Sequence, residues 1–164
     1  MPEKIKDIKP PRGLARFAFR LPIGLYRIGL GGLLGNRFLL LTHTGRKSGQ
    51  ARKTVLEVVR RDKETNTFII AAGFGPKSDW YLNIRKNPRV TVQCEQKSWD
   101  MTAHFLTPEQ SGEEMLDYAR RNPLAMRELA GFMGYRLDGS EADVRALGQE
   151  LQMVALKPGD KNGN

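Results

Sequence analysis

The chain has 164 residues and a formal net charge of +9 at pH 7, which suits one domain with a sizeable core and favours an anionic partner. Its single cysteine and two histidines exclude an intramolecular disulfide and a dense zinc cluster. We therefore expect residues 1–164 to form one cytoplasmic domain without metal. Its ligand would be a phosphorylated small molecule, a nucleic acid or an anionic membrane.

The N-terminal region, residues 1–35, begins with charged residues and lacks the apolar core of a signal peptide. Its apolar stretch at 17–34 is interrupted by arginines, a proline and glycines, which argues against a membrane-spanning helix. Arginines alternate there with large apolar residues. This mixture suits a helix lying on the inner face of a membrane or a helix packed over the domain's own core, and both placements stay open.

Apolar runs separated by turn residues predict about six short strands, mostly joined as hairpins. The runs cover 37–43, 53–61, 67–72, 89–94, 98–106 and 151–156. In the second run, Val55, Glu57 and Val59 are expected on one face and Leu56 and Val58 on the other. Cys94 ends the fourth run, where a buried thiol that packs as a small hydrophobe is expected. Residues 157–164 form a polar tail.

Helix signals appear after the third strand and again before the last one. A short helix is expected over about 79–86, between a capping residue and an Asn-Pro pair. A hydroxyl cap, a proline and a glutamine at 107–110 begin a longer helix, and two more follow 122–123 and 138–140. Because strands do not alternate with helices, the pattern predicts an antiparallel barrel or curled sheet of the α+β class and not a Rossmann fold.

The polar turn after the first strand is the candidate anion site. It reads Thr44-Gly45-Arg46-Lys47-Ser48-Gly49, and Arg52 follows in the next strand. Its glycines let backbone N–H groups turn towards a ligand, while its cations and hydroxyls supply further donors. The same residues also make a good surface hairpin turn with solvated cations. They lack the spacing of a Walker loop.

A second segment, from Gly73 to Asn83, could bind a flat heterocycle. Its glycine-flanked backbone can form hydrogen bonds with the edge of a ring while Phe74 or Trp80 covers the face. Alternatively, Trp80 and Tyr81 seat the short helix on the core.

Together, residues 44–49, 78–84 and the Asn-Pro-Arg-Val run at 87–90 resemble the deazaflavin-dependent nitroreductase family. The likeness runs from about Phe38 to Val92 and is weaker at 138–140 and 151–156. It implies a split β-barrel oxidoreductase that uses coenzyme F420, an 8-hydroxy-5-deazaflavin whose tail carries a phosphate and glutamate carboxylates. Such an enzyme passes a hydride to a quinone, nitroaromatic or enone acceptor.

By position, the resemblance also implies roles for single residues. The phosphate and tail would be held at the turn and the following strand, by Thr44, Gly45, Arg46, Lys47, Ser48, Gly49 and Arg52. The ring would be bordered and seated by Gly73, Phe74, Gly75, Trp80 and Asn83, with Lys77 as a further cation near the tail. Tyr135 would lie near the acceptor, although a packing role is the alternative. No catalytic acid or base is assigned.

Two departures from the family pattern leave alternatives open. Leu56 and Glu57 stand where many relatives have proline and leucine, and Asp79 stands where proline is common, so FMN remains an alternative cofactor. A non-enzymatic nucleic-acid binder would explain the charge, but the cations are spread over the chain and no recognition helix or RNP-like strand appears, so no nucleic acid is expected. The chain is expected to be a monomer or a homodimer.

Overall fold

The computed structural model describes residues 2–4, 37–73, 75–132 and 134–159. The predicted N-terminal helix, Phe74 and the last five residues of the predicted tail lie outside these ranges. The strands are β1 Glu3–Lys4, β2 Phe38–Thr44, β3 Ala51–Asp62, β4 Thr67–Ala71, β5 Arg89–Cys94, β6 Lys97–Phe105, β7 Tyr135–Arg136 and β8 Met153–Pro158. The helices are α1 Asp79–Lys86, α2 Pro108–Arg121, α3 Pro123–Phe132 and α4 Glu141–Glu150.

Six strands close into a barrel in the order β2-β3-β4-β8-β6-β5. Every neighbouring pair in the barrel is antiparallel. The two-residue strands β1 and β7 pair with each other in a separate sheet. This barrel, with its helices, confirms the predicted α+β architecture.

The barrel interior is filled by alternate residues of the strands, as their periodicity predicts. Leu39 and Leu41 of β2, Phe68 and Ile70 of β4 and Val154 of β8 are all fully buried there. Cys94 belongs to the same cluster, as expected, and burial raises the pKa of its thiol. The thiol therefore stays protonated and packs as a small apolar group.

A β-bulge in β3 changes which face its last residues occupy. The predicted alternation holds from Val55 to Val59, since Leu56 and Val58 pack on the interior cluster and Val59 on the outer one. The register then shifts between Val58 and Arg60. The shift turns Arg61 inward, and its guanidinium lies 4.7 Å from the ring centroid of Phe68.

Helices α2 and α4 cover the outer face of β4 and β8, where a second apolar cluster includes Ile69, Met115, Leu147 and Met153. α2 begins at the predicted capping box, in which the Thr107 hydroxyl accepts from the backbone of Gln110. A Cβ at Gly148 would lie 2.6 Å from Met115 Cβ. The two helices therefore pack closely at this glycine.

One end of the barrel gathers both predicted ligand segments. β2 ends and β3 begins at the Thr44–Ala51 pair, and β4 returns towards that end because Ile70 pairs with Val58. β5 begins there too, since Thr91 pairs with Thr42. α1 closes this end, with Trp80, Tyr81 and Ile84 in the interior cluster. We call it the site end of the barrel.

Candidate functional site

The turn between β2 and β3 is compact and is closed by backbone hydrogen bonds of its two glycines. The Gly45 N–H donates to the Gln50 carbonyl at 2.8 Å, and the Gly49 N–H donates to the Gly45 carbonyl at 2.8 Å. Gly49 has a φ of 69°, and a Cβ at Gly45 would lie 2.7 Å from Ser48 Oγ. The two glycine N–H groups are thus used inside the turn, so side chains are the main donors left for an anion.

The turn and α1 are joined by hydrogen bonds. Asn83 Oδ1 accepts from the Arg46 backbone N–H at 3.0 Å and from Arg46 Nη1 at 2.9 Å. Arg46 Nη2 lies 3.1 Å from Asp79 Oδ1, and Lys86 Nζ donates to the Arg46 carbonyl at 2.9 Å. Residues 79, 83 and 86 form one stripe of the helix, so α1 presents a single face to the turn.

A buried histidine completes this network. His43 is 5% exposed, and its Nδ1 lies 3.0 Å from Asn83 Nδ2. The amide nitrogen donates, so Nδ1 is the acceptor and the neutral ring carries its proton on Nε2. Burial lowers the pKa of His43 to about 4, against the opposing effect of Asp79 and with a further lowering by Arg52. His43 is therefore neutral near pH 7 and orients the Asn83 amide.

The cations around the turn suit an anionic tail. Arg46 is 26% exposed, whereas Lys47, Ser48 and Arg52 are exposed. Arg52 Nε lies 3.6 Å from the place a Gly45 Cβ would occupy, so it packs against the turn. Several charge-assisted donors at one place are what a phosphate needs, since one exposed ion pair contributes only about 0.2 to 1 kcal/mol. The residues present thus fit the tail of F420.

Two residues of this network were missed from the sequence. Lys86 stands in the last turn of α1, three residues after Asn83, and this helical spacing was the available signal. His43 was considered only as a zinc ligand. Its position, two residues beyond the inward-facing Leu41, indicated that it is buried at the barrel end.

The segment before α1 lies at the site end as a tight turn. The Gly75 N–H donates to the Ala72 carbonyl at 2.8 Å, and Ser78 Oγ donates to the Gly75 carbonyl at 2.9 Å. Gly75 has a φ of 89°, which favours glycine. Gly73 and Lys77 are exposed. This segment leads directly into α1, which contacts the β2–β3 turn.

Trp80 and Asn83 are both largely buried. Trp80 is 8% exposed, and its ring centroid lies 5.8 Å from that of Tyr81 in an edge-to-face arrangement. This is the packing role that the sequence left as an alternative, so contact with a ring is limited to the small exposed part of the side chain. Asn83 is 4% exposed. Its amide acts mainly by holding Arg46.

A groove of about 720 Å³ lies beside the turn. Its lining starts at the base of the turn, with Thr44 and Ala51, and continues to Pro88 and Arg89 directly after α1. The groove is open to solvent, and the residues predicted to border the ring are not among those that line it. The cationic turn thus borders a concave surface. Within the described ranges, no group of three or more acidic, histidine or cysteine side chains is placed to hold a metal ion.

Tyr135 of β7 lies against the helices that cover the outer face of the barrel. It packs against the outer apolar cluster, and its hydroxyl donates to Glu150 Oε2 at 2.9 Å. The structure thus brings Tyr135 to α4, and its role near an acceptor stays a prediction.

Leu56 and Glu57, which differ from the family pattern, both have packing or hydrogen-bond partners in the structure. Leu56 packs on the barrel interior, and Glu57 Oε1 accepts from the Tyr118 hydroxyl of α2 at 3.0 Å. Burial, followed by the nearby Glu57 carboxylate, raises the pKa of Tyr118 to about 12. The Glu57–Tyr118 hydrogen bond therefore links strand β3 of the barrel to helix α2.

Comparisons with known proteins show the family and the fold to which the chain is similar. The F420H(2)-dependent quinone reductase Rv1261c of Mycobacterium tuberculosis is 34% identical over 108 residues, which cover 62% of this chain and 68% of that protein. A solved F420-H2 dependent reductase, FDR-A, superposes with a TM-score of 0.51 at 24% identity over 75% of this chain and 96% of that one. A structure described as a domain-swapped dimer gives a TM-score of 0.51 at 23% identity over 83% and 99%.

The two solved structures share the fold of this chain. A sequence model of the F420H(2)-dependent quinone reductase family matches residues 26–139, which include the turn, α1 and Tyr135. The expected kinship with deazaflavin-dependent split-barrel oxidoreductases is confirmed. The chain belongs to the F420H(2)-dependent quinone reductase family.

Proposed function

We propose that this protein is an oxidoreductase that transfers a hydride from reduced F420 to a quinone-type acceptor. The observation that carries the proposal is the joining of the cationic turn to α1 through Arg46 and Asn83, in a chain of this family. Because α1 follows directly on the segment that contains Gly73 and Gly75, an acidic tail bound at the cations of the turn would place its ring beside that segment.

The turn binds the tail in this account. Arg46, Lys47 and Arg52 contact the phosphate and the glutamate carboxylates, and Lys86 adds a fourth positive charge beside them. The Ser48 hydroxyl supplies a neutral donor, while Thr44, Gly45 and Gly49 shape the turn. Micromolar affinity needs about 8 kcal/mol, so these contacts must act together with burial of the ring.

The buried pair of His43 and Asn83 positions Arg46. Neutral His43 fixes the orientation of the Asn83 amide, and the amide oxygen holds the Arg46 backbone and guanidinium in place. A cation held in advance loses less side-chain entropy when the ligand binds.

The ring is bordered by Gly73, Phe74 and Gly75 and seated near Trp80, with Lys77 as a further cation for the tail. When bound, F420 supplies the hydride from C5 of its ring. The surrounding residues orient the ring, exclude water from it and hold the acceptor at its face. We assign Tyr135 to the acceptor side, and nitroaromatics and enones are further acceptors that we propose.

A turnover experiment tests this proposal. Reduced F420, the protein and a soluble quinone are mixed without oxygen, and the return of absorbance at about 420 nm reports oxidised coenzyme. We expect turnover that depends on the protein and falls in Arg46→Ala. A protein that retains yellow FMN and oxidises reduced FMN but not reduced F420 would contradict the cofactor assignment.

The placement of the N-terminal region needs its own test. Among the described residues, no helix has the length and apolarity needed to cross a bilayer. We propose a cytoplasmic protein whose residues 1–35 either pack over the barrel or bind the inner face of the membrane. Deleting residues 1–27 should abolish binding to anionic liposomes if the second alternative holds, and full retention would exclude it.

The assembly state is a separate proposal, with monomer and homodimer as the alternatives. Light scattering of the pure protein decides between them.

A further inference from the structure

Asp79 lies beside the cation that the proposed function assigns to the tail phosphate. Its Oδ1 is 3.1 Å from Arg46 Nη2, and its carbonyl oxygen is 3.5 Å from Nη1. The carboxylate side chain is 84% exposed and that of Arg46 is 26% exposed. An anion that reaches Arg46 from solvent must therefore displace this carboxylate or share the guanidinium with it.

The guanidinium of Arg46 and the backbone of Asp79 are both held in place. Arg46 is held at its backbone and its guanidinium by the buried Asn83 amide. Asp79 is the first residue of α1, directly after the buried Ser78, whose hydroxyl donates to the Gly75 carbonyl. A ligand at Arg46 therefore binds with the Asp79 carboxylate still within a few ångströms.

We propose that Asp79 is a specificity-determining residue that makes this site favour a phosphodiester over a phosphate monoester. The inference rests on the proposed function, because it takes Arg46 as the phosphate ligand. A diester carries one negative charge, whereas a monoester carries about 1.5 to 2 near pH 7. Repulsion by a nearby carboxylate grows with that charge. The phosphate in the tail of F420 is a diester and that of FMN is a monoester, so at the phosphate Asp79 repels F420 less than FMN.

Asp79→Asn removes the charge and keeps the size of the side chain. One unit charge at this range in a solvated site changes an affinity by about fivefold. We expect F420 to bind about fivefold tighter to the variant and FMN more than about tenfold tighter. The ratio of the FMN to the F420 dissociation constant should thus fall by about two- to fivefold, as measured by fluorescence titration at low salt.

Two variants control for charge and shape. Glu64→Gln removes an equal charge from an exposed residue in the β3–β4 turn, at the far end of the barrel, and should leave the ratio unchanged. Asp79→Glu keeps the charge and should keep the preference for F420. Circular dichroism verifies that each variant is folded.

Ring-free probes separate this inference from the proposed function. Inorganic phosphate and dimethyl phosphate, a dianion and a monoanion, are titrated against both proteins by phosphorus NMR, and Asp79→Asn should gain more for inorganic phosphate. Equal gains for the two anions, or an unchanged ratio of FMN to F420 affinity, would overturn the role of Asp79. Failure of the native protein to bind F420, with unequal gains for the two anions, would count against the proposed function alone.

Discussion

Asn83 Oδ1 accepts two hydrogen bonds from Arg46, at 3.0 Å from the backbone nitrogen and 2.9 Å from Nη1. One buried amide on α1 thereby fixes both the path of the β2–β3 turn and the direction of its guanidinium. The other end of the amide donates to His43. The Asn83 side chain thus both stabilises the β2–β3 turn and aligns Arg46, the cation assigned to the ligand.

Asn83→Ala should reduce both stability and coenzyme affinity. The substitution leaves the Arg46 N–H and His43 Nδ1 without this partner, and an unsatisfied buried polar group costs about 1 to 3 kcal/mol. We expect a loss of that size in urea unfolding, and F420 binding weaker by about tenfold because Arg46 is no longer held. Gln96→Ala, which removes an exposed amide in the β5–β6 turn, is the control and should change neither quantity by much. Unchanged F420 affinity in Asn83→Ala would remove the amide from the binding site.

Arg46→Ala and Lys47→Ala should each weaken F420 binding, and more strongly at low salt. Arg46 is held in place and can make charge-assisted hydrogen bonds of about 1.5 to 3 kcal/mol, whereas the exposed Lys47 acts through about 0.2 to 1 kcal/mol. The loss should therefore be about tenfold to a hundredfold for Arg46 and a few-fold for Lys47. Fluorescence titration at two salt concentrations measures both.

Lys63→Ala is the control for the loss of a positive charge, because Lys63 is exposed in the β3–β4 turn at the other end of the barrel. Equal affinity in Arg46→Ala, Lys47→Ala and the native protein would refute the assignment of the tail to the turn.

The protein should become less stable as the pH falls from about 6.5 to about 4, because the buried His43 stays neutral over this range. Its pKa is lowered from 6.5 to about 4, so between these values the unfolded chain binds a proton that the folded chain does not. Stability is therefore full above about pH 6.5 and is lost as the pH falls to about 4, by about 3 kcal/mol. Urea unfolding across this range measures the slope.

His43→Gln should flatten this part of the profile relative to the native protein, since glutamine does not titrate. His104→Gln is the control, because His104 is exposed on β6, and its profile should follow that of the native protein. Parallel profiles for all three proteins would contradict the burial of a neutral His43.

Gly148→Ala should destabilise the packing of α2 against α4 without changing the site end of the barrel. Its Cβ would lie 2.6 Å from Met115 Cβ and 2.6 Å from the Ser111 carbonyl oxygen, and such overpacking costs about 1 to 3 kcal/mol. Gly131→Ala in α3, where a Cβ meets no atom within 4 Å, is the matched control and should be neutral or stabilising. Thermal unfolding compares them, and equal melting temperatures would contradict the tight contact of α2 with α4.

The barrel strands and helices could be predicted because their patterns depend on residues that are close together in the sequence. The predicted run at 37–43 became β2 Phe38–Thr44, and the capping box at Thr107 began α2 as expected. Boundaries shifted where packing decides: β3 extends to Ala51 and Asp62, and the last strand starts at Met153 because Leu151 ends α4. The two-residue strands β1 and β7 carry no periodicity that could be recognised.

The contacts of the site could be predicted only in part. Spacing and resemblance pointed to Arg46 and Asn83, but their bond spans 37 positions and depends on barrel closure. The same holds for His43, whose role comes from Asn83, forty positions further along the chain. The inward turn of Arg61 depends on a bulge that no alternation pattern predicts.

A crystal structure of the protein with F420 bound tests the central claim most directly. We predict the tail phosphate within hydrogen-bonding distance of the Arg46 guanidinium, with the Arg46–Asn83 bonds retained and the ring beside Gly73, Gly75 and Trp80. A phosphate bound instead to the cations at the far end of the barrel, around Arg60 and Arg121, would contradict it.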